Sequence, residues 1–445
     1  MLLGLLLGAY AATWRSPITE PLEVPAFPDE GSLTSPPTLR WMVQLPGGVM
    51  KSAAHTETAR AVILEGGILV GSAAGKALYM LDRRNGNIIR TFPAKTSVES
   101  EPAVVGDQVL FADTGGTAWC YNLDGTLVWS FDTKAPVLSR PTVADGRVYV
   151  TNVDDLVVAL RLEDGSQIWR YQQKPDLTRA GELGLYASPS AVLARGELLV
   201  GFSDGALVSL APDSGDVRWL LRVGEGKYPD IVADPAVAAD RIVFASGYFE
   251  PTVALDLETR RVRWTADFGA AAPSRLLTLG DRLLLLHPGT DGALRAFDAA
   301  TGDPVWTWES LTDGALTAPE ETQLGVLVGS TAGTLTLLNP ADGTELWHYE
   351  PLRVLEGVST APAVRGRQVV FVTNAGRLYS LVTPAEDGTW AGVPSWTMKR
   401  SAREPGPELA EAAPRRARPA RSAQPEVLAP ETPEPSAPQP ETDAP

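Results

Sequence analysis

The sequence predicts an all-β fold: an eight-bladed β-propeller of four-stranded antiparallel blades, closed by an N-terminal strand. Two observations carry this reading. A strand-rich unit of about 43 residues recurs along the chain, and its first and last copies are incomplete in complementary ways. Composition agrees, because 41 Gly and 37 Pro in 445 residues suit many short buried strands punctuated by turns.

Each unit opens on a proline slot, filled by Pro102, Pro141, Pro189, Pro235, Pro319 and Pro362, with Ser274-Arg275-Leu276 in the slot between Pro235 and Pro319. An apolar strand, a turn and a second strand ending in Leu-Asp or its equivalent follow, and these second strands are read as inner strands. They are Leu78 to Asp82, Ala118 to Asn122, Val157 to Arg161, Leu207 to Ala211, Val253 to Asp256, Leu294 to Asp298, Leu335 to Asn339 and Leu378 to Leu381. Next comes a turn glycine at Gly86, Gly125, Gly165, Gly215, Gly302 or Gly343, where a tight hairpin needs positive φ; Arg260 breaks the rule.

Four residues beyond the turn stands Trp129, Trp169, Trp219, Trp264, Trp306 or Trp347, with Arg90 in that slot of the first unit. One four-stranded sheet cannot bury both its faces, so stacking of neighbouring blades must supply the core. A tryptophan on the outermost strand can wedge between blades, and these residues are read as blade-docking staples. The eighth unit has no Trp strand after it, whereas Leu39-Arg40-Trp41 has no unit before it. Trp41 therefore completes the last blade and removes the free edge at the seam.

The Leu-Asp-x-x-Thr-Gly-x-x-x-Trp signature resembles the PQQ-like (quinoprotein-type) repeat over residues 38 to 383. Within that superfamily, Asp230-Ile231-Val232-Ala233-Asp234-Pro235 leading to Val253-Ala254-Leu255-Asp256 is similar to a blade of the periplasmic propeller subunit of the outer-membrane β-barrel assembly machinery. That resemblance implies a Leu-x-Leu-Arg-Gly loop and an Asp-x-Asp loop that meet the barrel-folding partner. Here Leu183-Gly184 stands where Leu-Arg is expected, and Arg179 supplies the arginine with a shift. Asp230 matches the first acidic position, Val232 replaces the second, and Asp234 lies two further on. The partner-binding residues expected on this basis are Leu183, Arg179 and Asp230. The 50-residue interval between Trp169 and Trp219 holds the first of these loops, and inserted rim loops are where binding concentrates.

No catalytic, cofactor-binding or metal-ligating residues are assigned. Enzymatic members of the superfamily hold PQQ between a tryptophan and a vicinal Cys-Cys pair, and this chain has one cysteine, Cys120, in an alternating strand-like setting. Asp82, Asp256 and Asp298 occupy equivalent turn positions and read as turn caps. His55, His287 and His348 fall at different repeat positions and have no reason to converge on a metal. Gly71 to Ala77 resembles a phosphate loop but is one residue short, lacks the hydroxyl, and reads as a hairpin turn.

The ends differ from the ring. Residues 1–13 are apolar, too short for a span, with no Lys or Arg before the apolar run. Ala9-Tyr10-Ala11 has the small-x-small form of a processing site, so the stretch reads as a weak or truncated signal peptide. Residues 14–37 are a Pro-rich linker and 384–400 a second linker. Residues 401–445 form a Pro/Ala/Glu-rich tail, expected to be disordered and without strands. No cysteine follows the apolar start, so lipid anchoring is not supported from this start site.

A net charge of −16 argues against nucleic acid and anionic lipid as partners. The favoured function is a non-enzymatic cell-envelope scaffold, exported to the periplasm or outer membrane. It would act as a monomer within a complex and bind protein partners, among them the barrel-assembly core, through propeller loops. Two alternatives stay open: a PQQ-type or other small-ligand enzyme or sensor, and a surface or polymer-binding propeller.

Overall fold

The computed structural model describes residues 33–47, 58–173, 187–224, 226–310, 314–351 and 356–383, with the backbone of 427–428. Eight antiparallel sheets are arranged as a ring of blades. Blade 1 runs through Val62–Ile63, Ile68–Ser72, Ala77–Leu81 and Ile88–Pro93, and blade 2 from Ala103–Val105 to Leu127–Asp132. Blade 3 runs from Thr142–Ala144 to Gln167–Gln172, blade 4 from Val192–Ala194 to Val217–Arg222, and blade 5 from Ala236–Ala238 to Arg261–Ala266. Blade 6 runs from Arg275–Leu279 to Pro304–Glu309 and blade 7 from Glu320–Thr322 to Glu345–Tyr349.

Blade 8 takes Ala363–Arg365, Gln368–Val372 and Arg377–Val382 from the end of the ring and Thr38–Gln44 from its beginning. Thr38 pairs with Val382 and Gln44 with Arg377, which closes the ring. The two middle strands of a blade are apolar on both faces; Ile68–Ser72, Glu197–Gly201, Ala206–Leu210 and Gln368–Val372 are buried throughout. A strand stacked between two sheets has no solvent face, so alternation is lost there. The core is accordingly a series of layers between blades: Leu110, Cys120 and Trp129 of blade 2 pack with Val148, Val158 and Leu160 of blade 3. The strands ending in Leu-Asp are the third of each blade counted from the channel, one place further out than the repeat alone suggests.

The outermost strands show a different pattern. In Gln167–Gln172 and Pro304–Glu309 the tryptophan is the buried residue among exposed and half-buried neighbours. A register shift falls just before the Trp slot in every blade, as between Ala159 and Leu160 opposite Trp169, or between Leu39 and Trp41 in the closing strand. A bulge re-aims the next side chain, and here it turns the indole toward the following blade.

There the ring meets the turn glycine. A Cβ on Gly165 would lie 2.6 Å from the ring of Trp129, and Gly86, Gly215, Gly302 and Gly343 are pressed in the same way by Trp41, Trp169, Trp264 and Trp306. The indole N–H then donates to a carbonyl beyond the seam: Trp41 to Arg83, Trp129 to Leu162, Trp169 to Pro212, Trp264 to Ala299 and Trp306 to Pro340, at 2.8–3.1 Å. Trp347 is half-buried beside Tyr349, and the turn that would follow it lies beyond the described residues.

One expectation is corrected. The tail was expected to carry no strand, yet Val427–Leu428 pairs antiparallel with Leu221 and Leu220, so blade 4 has a fifth strand. The unpaired N–H and C=O groups of an open sheet edge are a template for such a segment.

Candidate functional site

Within each blade the antiparallel order places the connections between strands two and three, and those leading to the next blade, on one rim. On blades 4 and 5 that rim carries the segment Pro229 to Pro235 and the hairpin loop Gly247 to Pro251. Ile231 is buried, and its side chain lies so close to Gly201 that Ile231 Cγ2 leaves no room for a Cβ there. Its amide donates to the Phe202 carbonyl at 3.2 Å. The segment is thus fastened to blade 4 by a residue that needs a glycine opposite it.

Asp230 is 2% exposed, and its backbone carbonyl accepts from Tyr248 N–H at 2.8 Å. It positions the hairpin loop rather than presenting its carboxylate outward. Phe249, at the tip, is 60% exposed. Its ring meets Tyr228 at 5.9 Å and Tyr248 at 4.6 Å, both edge-on, and Lys227 Nζ stands 5.2 Å from the Tyr228 ring. Three aromatic rings held by backbone bonds form a pre-organised apolar knob of the kind that anchors protein interfaces.

Carboxylates surround its base. Asp155 is bound by Ser203 N–H at 3.0 Å, and burial, with Asp204 and Asp230 nearby, pushes its carboxyl above the usual range. Asp204 accepts from Gln173 Nε2 at 2.8 Å and pairs with Arg222 at 3.2 Å. Gln173 is the last described residue before 174–186, so the expected partner residues Arg179 and Leu183 lie outside the described residues. Asp234 faces the channel, accepts from Ser190 N–H at 2.6 Å, and is pushed up by desolvation. Sequence reasoning missed Tyr228, Tyr248 and Phe249. The signal was present, because the equivalent turns read Asp113-Thr114-Gly115-Gly116 and Asn152-Val153-Asp154-Asp155, whereas this one reads Gly-Tyr-Phe-Glu-Pro.

The central channel is polar. Arg60 pairs with Glu320 at 2.7 Å and Glu101 at 3.5 Å, Arg140 with Glu101 at 3.7 Å, and Arg275 with Glu320 at 4.0 Å. These pairs tie the inner ends of blades 1, 2, 3, 6 and 7 together. A quinone clamp does not fit this ring. The single Cys120 is buried in the layer between blades 2 and 3, and desolvation raises its thiol to about 12. Asp256 and Asp298 cap their turns, accepting from Glu258 and Thr259 and from Ala300 and Thr301. His287 is fully buried between Ser274, Thr252 and the Gly269 carbonyl. His348 contacts Glu345, and His55 lies outside the described residues. Among the described residues no cluster could hold a metal ion, and no helix is long and apolar enough to cross a membrane.

Eight blades, five of their seams stapled by an indole on a turn glycine, define a propeller of the PQQ-like repeat class. Comparison with known proteins narrows this. The chain belongs to the family described as outer membrane protein assembly factor BamB, whose model matches residues 74–307 and 290–418. It is 26% identical to BamB of Shewanella oneidensis over 269 residues, which is 59% of this chain and 65% of that protein. It is also 26% identical to BamB of Legionella pneumophila over 324 residues, 63% of this chain and 82% of that protein. The match thus spans under two thirds of the Shewanella protein. Among solved structures, BamB from Moraxella catarrhalis superposes with a TM-score of 0.65 at 18% identity, covering 78% of this chain and all of that one. A quinohemoprotein alcohol dehydrogenase of Pseudomonas putida is 31% identical over 157 residues, but these are 34% of this chain and 21% of that enzyme.

Proposed function

We propose that this chain is a non-enzymatic scaffold of the cell envelope, periplasmic or outer-membrane-associated, that serves outer-membrane β-barrel assembly by binding a protein partner. Membership of the BamB family carries this reading. The site we assign to the partner is the rim of blades 4 and 5, the Phe249 knob with Tyr228 and Tyr248, set by Asp230, and to it we add Arg179 and Leu183, which lie outside the described residues. A rigid ring offers such loops at low ordering cost, and an exposed aromatic at the centre of a patch is where interface energy concentrates.

The test is binding of the purified barrel-assembly core to the full chain by calorimetry. Phe249→Ser is expected to weaken binding at least tenfold with unchanged thermal stability, and Arg179→Ala and Leu183→Ala to weaken it further. Unchanged affinity in all three variants would remove the rim from the interface.

A further inference from the structure

We propose that the outer edge of blade 4, strand Val217–Arg222, is a strand-addition site that the chain's own C-terminal segment occupies in cis through Val427–Leu428. The observation is the antiparallel pairing of Leu220 with Leu428 and of Leu221 with Val427. Each blade ends in an outermost strand whose far edge offers unpaired backbone groups, and among the described residues only blade 4 carries a fifth strand.

The outer strand of blade 4 differs from its counterparts. The residue after the Trp slot is Thr91, Ser130, Arg170, Thr265, Thr307 or His348 in six blades and Met42 in the closing strand. In blade 4 it is Leu220, followed by Leu221, the one Leu-Leu pair in the series. Polar residues at these positions discourage strand addition, and blade 4 lacks that protection. The same strand sits at the anomalous seam, where Trp219 is held by Glu197 and covered by Arg260 instead of resting on a glycine.

Reach allows occupation in cis. Blade 4 lies across the ring from blade 8, and the chain leaves blade 8 at Thr383, 44 residues before Val427. A stretch of that length can reach at most about 150 Å, against a radius of gyration of about 20 Å for a compact body of this length. Pairing within one chain is an intramolecular event, against which any free peptide must compete. The incoming segment, Pro425-Glu426-Val427-Leu428-Ala429-Pro430, places an apolar pair between prolines, which limits the added strand to a few residues. The edge is therefore capped by a short, exchangeable strand. Any other occupant would be an extended peptide with adjacent apolar residues, and it would have to displace the tether.

The test uses the full chain, a Val427→Asp/Leu428→Asp variant, and a labelled synthetic peptide of residues 422–432. Removing the tethered competitor is expected to tighten peptide binding about tenfold or more and to speed hydrogen exchange of the amides in Val217–Arg222. Adding Leu220→Arg, which copies the polar residue of blade 3, is expected to abolish peptide binding with the melting temperature retained. Equal exchange and equal peptide affinity in the full chain and the double variant would overturn the site. Protection that disappears on dilution of the full chain would overturn occupation in cis in favour of a second copy.

Discussion

Arg260 of blade 5 reaches across the seam to Glu197 of blade 4, and Trp219 Nε1 donates to the same carboxylate at 2.7 Å. At five seams a glycine at positive φ seats the indole; here an arginine holds φ at +57° and lays its guanidinium 5.0 Å from the Trp219 ring. Glu197, buried and also bound by Ser209 Oγ at 2.8 Å, stands in for the backbone carbonyl that accepts the indole at five other seams.

Removing the carboxylate orphans several donors at once. Glu197→Ala is expected to cost about 2–4 kcal/mol, less than for a sealed pair because the arginine is partly exposed. Arg260→Gly loses the same pair but relieves a backbone strain worth about 1–2 kcal/mol, so its cost should be smaller. Urea unfolding of both variants measures the order, and a larger loss for Arg260→Gly would refute it.

The seat and the backbone can be separated at the glycines. Gly165 and Gly146 share φ near +70°, but a Cβ at Gly165 would strike Trp129 whereas one at Gly146 meets nothing within 4 Å. Gly146→Ala is expected to cost about 1 kcal/mol from backbone strain alone. Gly165→Ala should cost about 2–4 kcal/mol, because the indole must move as well. Similar melting temperatures for the two variants would show that the glycine does not serve as a seat.

His287 makes stability depend on pH. Burial lowers its pKa from 6.5 to about 4, with Arg295 lowering it further and Asp291 and the Gly269 bond opposing. The unfolded chain therefore binds the extra proton between about pH 4 and 6.5. The contribution is complete above pH 6.5 and is lost as pH falls through that window. It amounts to about 2 kcal/mol between pH 7 and 5. Denaturation at the two pH values should show that much less acid sensitivity in His287→Gln than in the unmodified chain; an identical pH slope would exclude His287 as its source.

Ring closure rests on the N-terminal strand. Trp41 presses Gly86, donates to Arg83 at 2.9 Å, and brings its strand against Arg377–Val382. Trp41→Ala is expected to cost about 2–4 kcal/mol and to speed hydrogen exchange first in Thr38–Gln44 and Arg377–Val382. Uniform acceleration around the ring would mean that the seam is no weaker than other blade contacts.

The blade count, the closing strand at Trp41 and the Trp–Gly seats at five seams were legible in the sequence, because those blades repeat one local solution to one packing problem. Periodicity reports such a solution directly. The irregular features were harder to read. Arg260 was visible as an exception, but its partner Glu197 lies 63 residues away and no repeat relates them. Asp230 was singled out, yet its burial beneath the aromatic knob depends on Ile231 finding Gly201 across a blade boundary.

What the sequence alone determined about this protein is therefore the ring: eight units and their order, set by neighbours within about one repeat, and their closure, legible because the first and last units are incomplete in complementary ways. Tertiary structure decided which exceptions matter: that Phe249 projects, that Asp230 does not, that Arg260 replaces a glycine by pairing, and that Val427–Leu428 lies on the edge of blade 4. The physical reason is separation along the chain. Repeat contacts recur at a constant offset and leave a periodic signal, whereas a contact made once between distant segments leaves none unless, as at the closing strand, the repeat itself has a gap to fill.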